Sequence, residues 1–288
     1  MTESTVFPRG RVTIVAVLNL TPDSFSDGGR FVRGAGGVEG ADVEAAVQAG
    51  LRLLAAGAHV LDVGGESTRP GAAEVSADVE IARVVPVLEA LAKRTEAPLC
   101  IDTRKAPVAE AALIAGARLV NDVSGLRLDP ALAEVAARAG AGLVLGHLRG
   151  EPATMQEGIR FDDVVAEVTA ELAESVARAR AAGIPEARLA VDPGIGFGKR
   201  LRHNLALLAR VGEIRAALRL PVLVGPSRKS FLGELTGDPV EARDAATIAA
   251  CAVAVFAGAD ALRVHDAGAG ARAARVARAL AGARERSS

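Results

Sequence analysis

The sequence predicts an α/β chain folded as a single (β/α)8 TIM barrel, and three observations carry that prediction. Short apolar runs rich in β-branched residues alternate with Ala/Leu-rich helical patterns, eight times in 288 residues. Several helical patterns end in a glycine turn before the next run, at Gly57, Gly116, Gly140, Gly183 and Gly258, as left-handed C-caps do. Each apolar run then stops at a polar residue or polar turn, and a parallel barrel gathers all such ends on one C-terminal rim. An open doubly wound sheet is the alternative, but no glycine-rich dinucleotide turn follows the first run. No linker or low-complexity block divides the chain. Residues 11–284 are expected to form one domain, with residues 1–10 as an N-terminal extension.

Taken in order, the strand-like runs are 12–18, 59–63, 99–101, 118–120, 142–146, 188–191, 222–225 and 259–264. Helical patterns occupy 43–56, 79–93, 106–115, 130–139, 161–182, 204–218, 241–257 and 269–281. The loop after the first run is unlike a packing element. It carries Asn19, Asp23, Asp27, several hydroxyls, Pro22, a glycine pair and one aromatic, Phe25, where a strand leaves the sheet.

Composition excludes several classes. A formal charge of −1 gives no electrostatic case for nucleic acid or an anionic membrane, and the absence of Trp and Tyr removes most base-stacking candidates. No apolar run approaches the roughly 20 residues of a membrane-spanning helix, and residues 1–10 hold no signal-peptide core. Cys100 and Cys251 lie in separate apolar segments outside any metal or redox motif, which points to buried thiols in a cytoplasmic protein.

The strand ends carry the chemistry. They are Asn19, the 64–69 loop after Asp62, Asp102, Asn121-Asp122, His147, Asp192, Ser227-Arg228-Lys229 and Arg263-Val264-His265-Asp266. Helix capping explains some strand-end Asp, Asn and Ser residues. It fits poorly for Asp102, Asn121 and Asp192, which terminate buried runs directly, and not at all for Lys229, Arg263 and His265, because N-caps are not cationic. Carboxylates and amides in the depth suit a neutral heterocycle rich in N–H donors. Cations at the mouth, with a metal ion near Asn19, suit phosphate or diphosphate. Backbone N–H groups at 227–229, opening a helix, suit a further anion such as a carboxylate. The blander readings are a lower-rim position for His59, a cap for His203 and a pocket wall for His147; Glu66 is open between loop structure and substrate.

From end to end the chain resembles the dihydropteroate synthases. The motifs are V-L-N-L-T-P-D-S-F-S-D-G-G at 17–29, D-V-G-G-E-S-T-R-P-G at 62–71, I-D-T at 101–103 and N-D-V-S-G at 121–125. They continue with D-P-G-I-G-F-G-K at 192–199, G-P-S-R-K-S-F at 225–231 and R-V-H-D at 263–266. The resemblance implies a folate-synthesis enzyme that joins p-aminobenzoate to 6-hydroxymethyl-7,8-dihydropterin diphosphate, releasing diphosphate and 7,8-dihydropteroate. It implies Asp102, Asn121, Asp192 and Lys229 around the pterin, with Phe197 in the same site, and Asn19 toward Mg2+. Arg69, Arg263 and His265 would hold the diphosphate, and Thr68 would touch the same substrate. Phe25, Asp27, Thr68 and Pro70 would close over the aminobenzoate, and Ser227 would lie near its carboxylate. Lys229, Arg263, His265 and Asp102 are the expected catalytic groups. A homodimer with small-molecule substrates is implied as well.

Four positions depart from the family pattern: Gly146, where a bulkier residue, often Met, faces the pterin and whose loss predicts a looser pocket; Arg200 and Arg202 after Lys199; and Ala267 after R-V-H-D. Two other functions share this sequence pattern: a pterin-binding methyltransferase domain, against which the S-R-K and R-V-H-D motifs argue, and a non-catalytic pterin-binding paralogue.

Overall fold

A computed structural model describes residues 6–8, 10–21, 32–33, 40–67, 74–151 and 154–286. The chain runs β1 (Thr13–Asn19), β2 (Val32–Arg33), β3 (Gly40–Ala41), α1 (Val43–Ala55), β4 (Val60–Gly64), α2 (Ala77–Ala92), β5 (Leu99–Asp102), α3 (Ala106–Ile114), β6 (Leu119–Asp122) and α4 (Ala131–Ala139). It continues through β7 (Gly142–Gly146), α5 (Val164–Ala181), β8 (Leu189–Asp192), α6 (Leu201–Ala209), α7 (Val211–Leu218), β9 (Leu223–Val224), α8 (Ser230–Thr236), α9 (Asp244–Phe256), β10 (Ala261–Val264) and α10 (Ala267–Arg286). Eight strands pair in the order β8-β7-β6-β5-β4-β1-β10-β9, and every pair in this sheet is parallel. The ring closes where Val191 bridges Val222, with the Val191 N–H donating to Pro221 O at 3.0 Å. β2 and β3 form a separate antiparallel pair.

The period of two along each strand sorts side chains into two cores. Leu18, Leu61, Ile101, Val120, Leu143, Val191 and Leu262 face outward and are covered by helices. Val15, Val60, Cys100, Leu119, Val144, Ala190, Leu223 and Ala261 face inward as an apolar layer across the barrel, joined by Val6 and Phe7. The barrel core therefore begins before residue 11. Val6 donates its N–H to Ala187 O at 3.0 Å, just below β8, so these two residues plug the lower end of the barrel. His59 is at that end too, its Nδ1 accepting from the Ile14 N–H at 2.9 Å.

The helical pattern at 204–218 is two helices, α6 and α7, broken at Arg210, whose φ of −115° and ψ of 23° leave the helical region. Hydrophobic periodicity continues across the break, so pattern alone does not reveal it. The glycines after the helices do adopt positive φ, from 61° at Gly140 to 117° at Gly57.

Gly146 differs from the looser pocket expected of it. A Cβ there would lie 2.6 Å from both Cα and O of Val123, so backbone from the loop after β6 already fills that space. Gly125 meets the Gly146 carbonyl just as closely. Gly146→Met should thus act as overpacking, lowering stability by about 1–3 kcal/mol. Urea unfolding of the variant beside the unmodified protein measures it; an unchanged midpoint would show that the loop yields freely.

Candidate functional site

One step above the apolar layer, the inward positions are Val17, Asp62, Asp102, Asn121, Gly146, Asp192, Gly225 and Arg263. Each is two residues beyond a member of the layer beneath, so strand geometry alone places them in one ring. Arg263 crosses the barrel centre. Its Nε donates to Asp62 Oδ2 at 2.6 Å and its Nη2 to Asp102 Oδ2 at 2.5 Å. Asn121 Nδ2 donates to the same Asp62 oxygen at 3.3 Å.

Asp62 is fully buried and Asp102 nearly so. Burial pulls the Arg263 guanidinium down, but the two carboxylates outweigh it and raise it. Burial pushes the Asp102 carboxyl above its usual range, against the pull of Arg263 and with a further push from Asp62. The two Asp102 oxygens differ in their surroundings. Oδ2, which receives the guanidinium, stays unprotonated; Oδ1 has no hydrogen-bond partner among the described residues and is where a proton or a donor would go.

Above this ring opens a cavity of about 640 Å³. Asn19, Asp102, Phe197, Ser227, Lys229, Arg263 and His265 all line it, so most of the sequence-predicted residues that the structure describes meet there. Lys229 Nζ lies 3.9 Å from the centroid of the Phe197 ring, a cation–π contact. Gly196 makes that contact reachable: its φ is 82°, and a Cβ there would sit 2.9 Å from Lys229 Cδ. Ser227 Oγ and His265 Nδ1 are 2.9 Å apart, and the His265 backbone N–H donates to the same Oγ at 3.3 Å. The serine hydroxyl and Nδ1 share a hydrogen bond whose direction follows the imidazole tautomer, and this contact fixes the ring.

Two expected pterin residues sit deeper. Asn121 and Asp192 do not line the open cavity; Asn121 is buried, and Asp192 Oδ1 accepts from the Gly194 N–H at 2.7 Å. Burial raises the Asp192 carboxyl, while Gly194, Lys229, Arg263 and Lys199 pull it down. Phe25, Asp27, Thr68, Arg69 and Pro70 lie outside the described residues.

Other strand-end residues are structural. Asp122 points outward and accepts from the N–H groups of Ser124 and Leu126 at 2.8 and 2.6 Å. Arg228, at φ 57°, pairs with Asp244 at 2.9 Å and braces the turn before α8. Glu66 touches the cavity, but its carboxylate accepts from Val75 N–H, Arg104 and Lys105, so it ties both ends of the following loop together. His203 Nδ1 accepts from the Arg200 N–H at 3.2 Å, which makes it a helix cap. His147 is not part of the open cavity wall; it is buried behind the site, bonded to Lys199 and Glu171. Sequence pattern does not single out Asp62 or Lys199 as site residues. The inward parity of Asp62, two residues beyond Val60, was the signal available for it.

The sequence matches the family described as "Pterin binding enzyme" over residues 15–265. It is 43% identical to the dihydropteroate synthase of Escherichia coli over 272 residues, covering 94% of this chain and 93% of that one. The fold is similar to a Yersinia pestis dihydropteroate synthase solved in a sulfonamide drug complex, with a TM-score of 0.87, 41% identity and 95% of each chain covered. It is also similar to the Xanthomonas albilineans dihydropteroate synthase solved with 7,8-dihydropteroate, with a TM-score of 0.80, 42% identity and 94% of each chain covered.

Removing the central cation should expose the cost of the buried carboxylates. Arg263→Met is expected to lose roughly 3–5 kcal/mol at neutral pH, because Asp62 and Asp102 lose their counter-charge. The Asp102 carboxyl, already raised in the fold, then rises further above its unfolded value, so the folded state takes up a proton first as pH falls. The deficit should shrink from pH 7 toward pH 5. Urea melts of both proteins at the two pH values test this, and a deficit that grows on acidification would contradict the assignment.

Proposed function

The chain belongs to the dihydropteroate synthase family of pterin-binding enzymes, and on that premise we infer that it condenses p-aminobenzoate with 6-hydroxymethyl-7,8-dihydropterin diphosphate to give 7,8-dihydropteroate and diphosphate. The observation that carries the reading is a buried, unpartnered carboxylate oxygen on a residue that lines a cation-bearing cavity. Asp102 Oδ1 has no partner among the described residues, and Asp102 lines the cavity together with Arg263, Lys229 and His265. A pterin edge supplies N–H donors for such an oxygen, and the cations match a diphosphate. Asp102, Asn121 and Asp192 are assigned to the pterin ring and Lys229 to its face beside Phe197. His265 and Arg263 are assigned to the diphosphate, with Arg69 and Thr68. Ser227, together with Phe25, Asp27 and Pro70, is assigned to the aminobenzoate.

Asn19 contributes one neutral oxygen ligand at the cavity, and no group of three His, Cys, Asp or Glu suited to a metal occurs among the described residues. That sparse donor set fits Mg2+, which takes few protein ligands when substrate phosphates supply the others. Bound there by Asn19 and the diphosphate, Mg2+ would neutralise charge on the leaving group.

No nucleophilic side chain is required. As the methylene–oxygen bond breaks, negative charge grows on the diphosphate, where His265 and the cationic rim stabilise it. Positive charge spreads over the pterin toward Asp102 and Asp192. The neutral arylamine then attacks the methylene carbon, and its proton leaves with the product diphosphate or solvent. In this dissociative order the rate depends weakly on amine strength. A steep rise across a series of substituted anilines would contradict it.

A homodimer in the cytoplasm belongs to the same proposal. Ile248, Val253 and Phe256 on α9 and Val276 and Leu280 on α10 are exposed apolar residues on two helices packed together. Two buried free thiols accord with a reducing compartment.

Diphosphate release should require both substrates, and Lys229→Ala or Arg263→Ala should lower kcat/KM by about a hundredfold or more. Pterin diphosphate that binds without turnover would identify a non-catalytic homologue instead. Val253→Glu with Phe256→Glu should shift the sedimentation of the protein from dimer to monomer; unchanged sedimentation as a dimer would place the interface elsewhere.

A further inference from the structure

Behind the cavity lies a buried charged chain that the reaction as described does not use. Lys199 closes the 192–199 turn and is 4% exposed. Its ammonium carries three N–H donors and meets three acceptors: Phe197 O at 2.9 Å, His147 Nδ1 at 2.9 Å and His147 O at 3.4 Å. His147, 3% exposed, has Nε2 at 3.2 Å from Glu171 Oε2. Burial and the Lys199 charge lower His147 to about 4, so the ring is neutral at pH 7. The hydrogen-bond pattern then assigns its tautomer: Nε2–H donates to Glu171, and Nδ1 accepts from Lys199. Glu171, on α5, also accepts from Arg127 at 2.6 Å and from Arg149 Nε at 2.8 Å. A continuous line of hydrogen bonds therefore runs from Glu171 on α5 to the underside of the turn.

That turn joins two site residues. Asp192 begins it, held by the Gly194 N–H. A Cβ on Gly194 would lie 3.2 Å from Lys199 Nζ, so the ammonium sits directly under the residue that orients Asp192. Phe197, whose carbonyl Lys199 holds, presents its ring to Lys229. We propose that Lys199 is a positioning residue for pterin recognition: its ammonium, braced by His147 and Glu171, fixes Phe197 against Lys229 and sets a positive charge under the Gly194 turn that holds Asp192. The inference rests on the reading of the cavity as a pterin site.

The charged groups facing this pair are few. Lys199 feels Asp192 and Glu171, which favour its charge, and Lys229 and Arg149, which oppose it. Burial acts first and lowers Lys199 to about 7. Asp192 feels Lys229, Arg263 and Lys199, all favouring the carboxylate against burial. The sign follows. Without the Lys199 charge the Asp192 carboxyl rises, so it is lost as a hydrogen-bond acceptor at a higher pH.

The test is calorimetric titration with 6-hydroxymethyl-7,8-dihydropterin, which lacks the phosphates, at pH values from about 4.5 to 8.5. Thermal melting at each pH controls for folding. Lys199→Gln keeps two N–H donors but no charge, and should move the acid limb of binding upward by about one pH unit. Lys199→Arg keeps the charge and should restore the limb. Glu171→Gln, remote from the cavity, removes the counter-charge of the ammonium and should bring the alkaline fall in affinity to lower pH. The ligand's own titration is common to all proteins and cancels in the comparison. Coincident limbs in all variants, with pterin still bound, would overturn the role of Lys199 and leave the functional reading intact. Absence of pterin binding by the unmodified protein would overturn both.

Discussion

Arg263 lies between Asp62 and Asp102 at the centre of a closed barrel, where a charge is tolerated only if it is paired. Each carboxylate would be costly alone in that setting, and so would the guanidinium. Together they form a compact unit whose hydrogen bonds, at 2.6 and 2.5 Å, leave one Asp102 oxygen buried without a partner among the described residues. The same accounting extends outward. Asp192 faces Arg263, Lys229 and Lys199. The inward carboxylates Asp62, Asp102 and Asp192 are thus met by Arg263, Lys229 and Lys199, so the floor of the site carries strong local fields without a large net charge. A substrate that is part N–H donor and part polyanion can then bind without forcing any group of the floor into an uncompensated state.

Strand parity explains how so few residues build this floor. The apolar layer from Val15 to Ala261 closes the barrel below, and moving two residues along each strand replaces it with a polar ring. Much of this was readable in the sequence. Asp102, Asn121 and Asp192 follow apolar runs, Arg263 lies near the end of one, and inward parity puts all four in one layer. Asp62 escaped notice because it lies inside an apolar run, where it reads as the approach to the glycine loop. Lys199 escaped because it ends a glycine-rich turn, and only three-dimensional proximity joins it to His147, 52 positions earlier. Local pattern also missed the break at Arg210, where the nearby signal is a single glycine, Gly212, inside the first turn of α7, and the brace between Arg228 and Asp244. The space beside Gly146 depends on how the loop after β6 packs, which a single sequence does not encode locally.

Two side chains in the barrel could be mistaken for nucleophiles, and their surroundings argue otherwise. Cys100 belongs to the apolar layer, and burial with the neighbouring Asp62 charge pushes its thiol far above the range in which a thiolate forms. Ser227 stands 2.9 Å from His265, a spacing that resembles an activated serine. Yet its oxygen already accepts the His265 backbone N–H, and the pair joins the turn before α8 to the end of β10. The contact orients the imidazole toward its place on the cavity rim rather than exposing a basic oxygen to substrate. A site whose groups stabilise charge on both departing fragments has no need of a covalent intermediate. Its demands are a paired floor, a fixed aromatic wall at Phe197 and cations at the mouth, and the barrel supplies each from a different strand end.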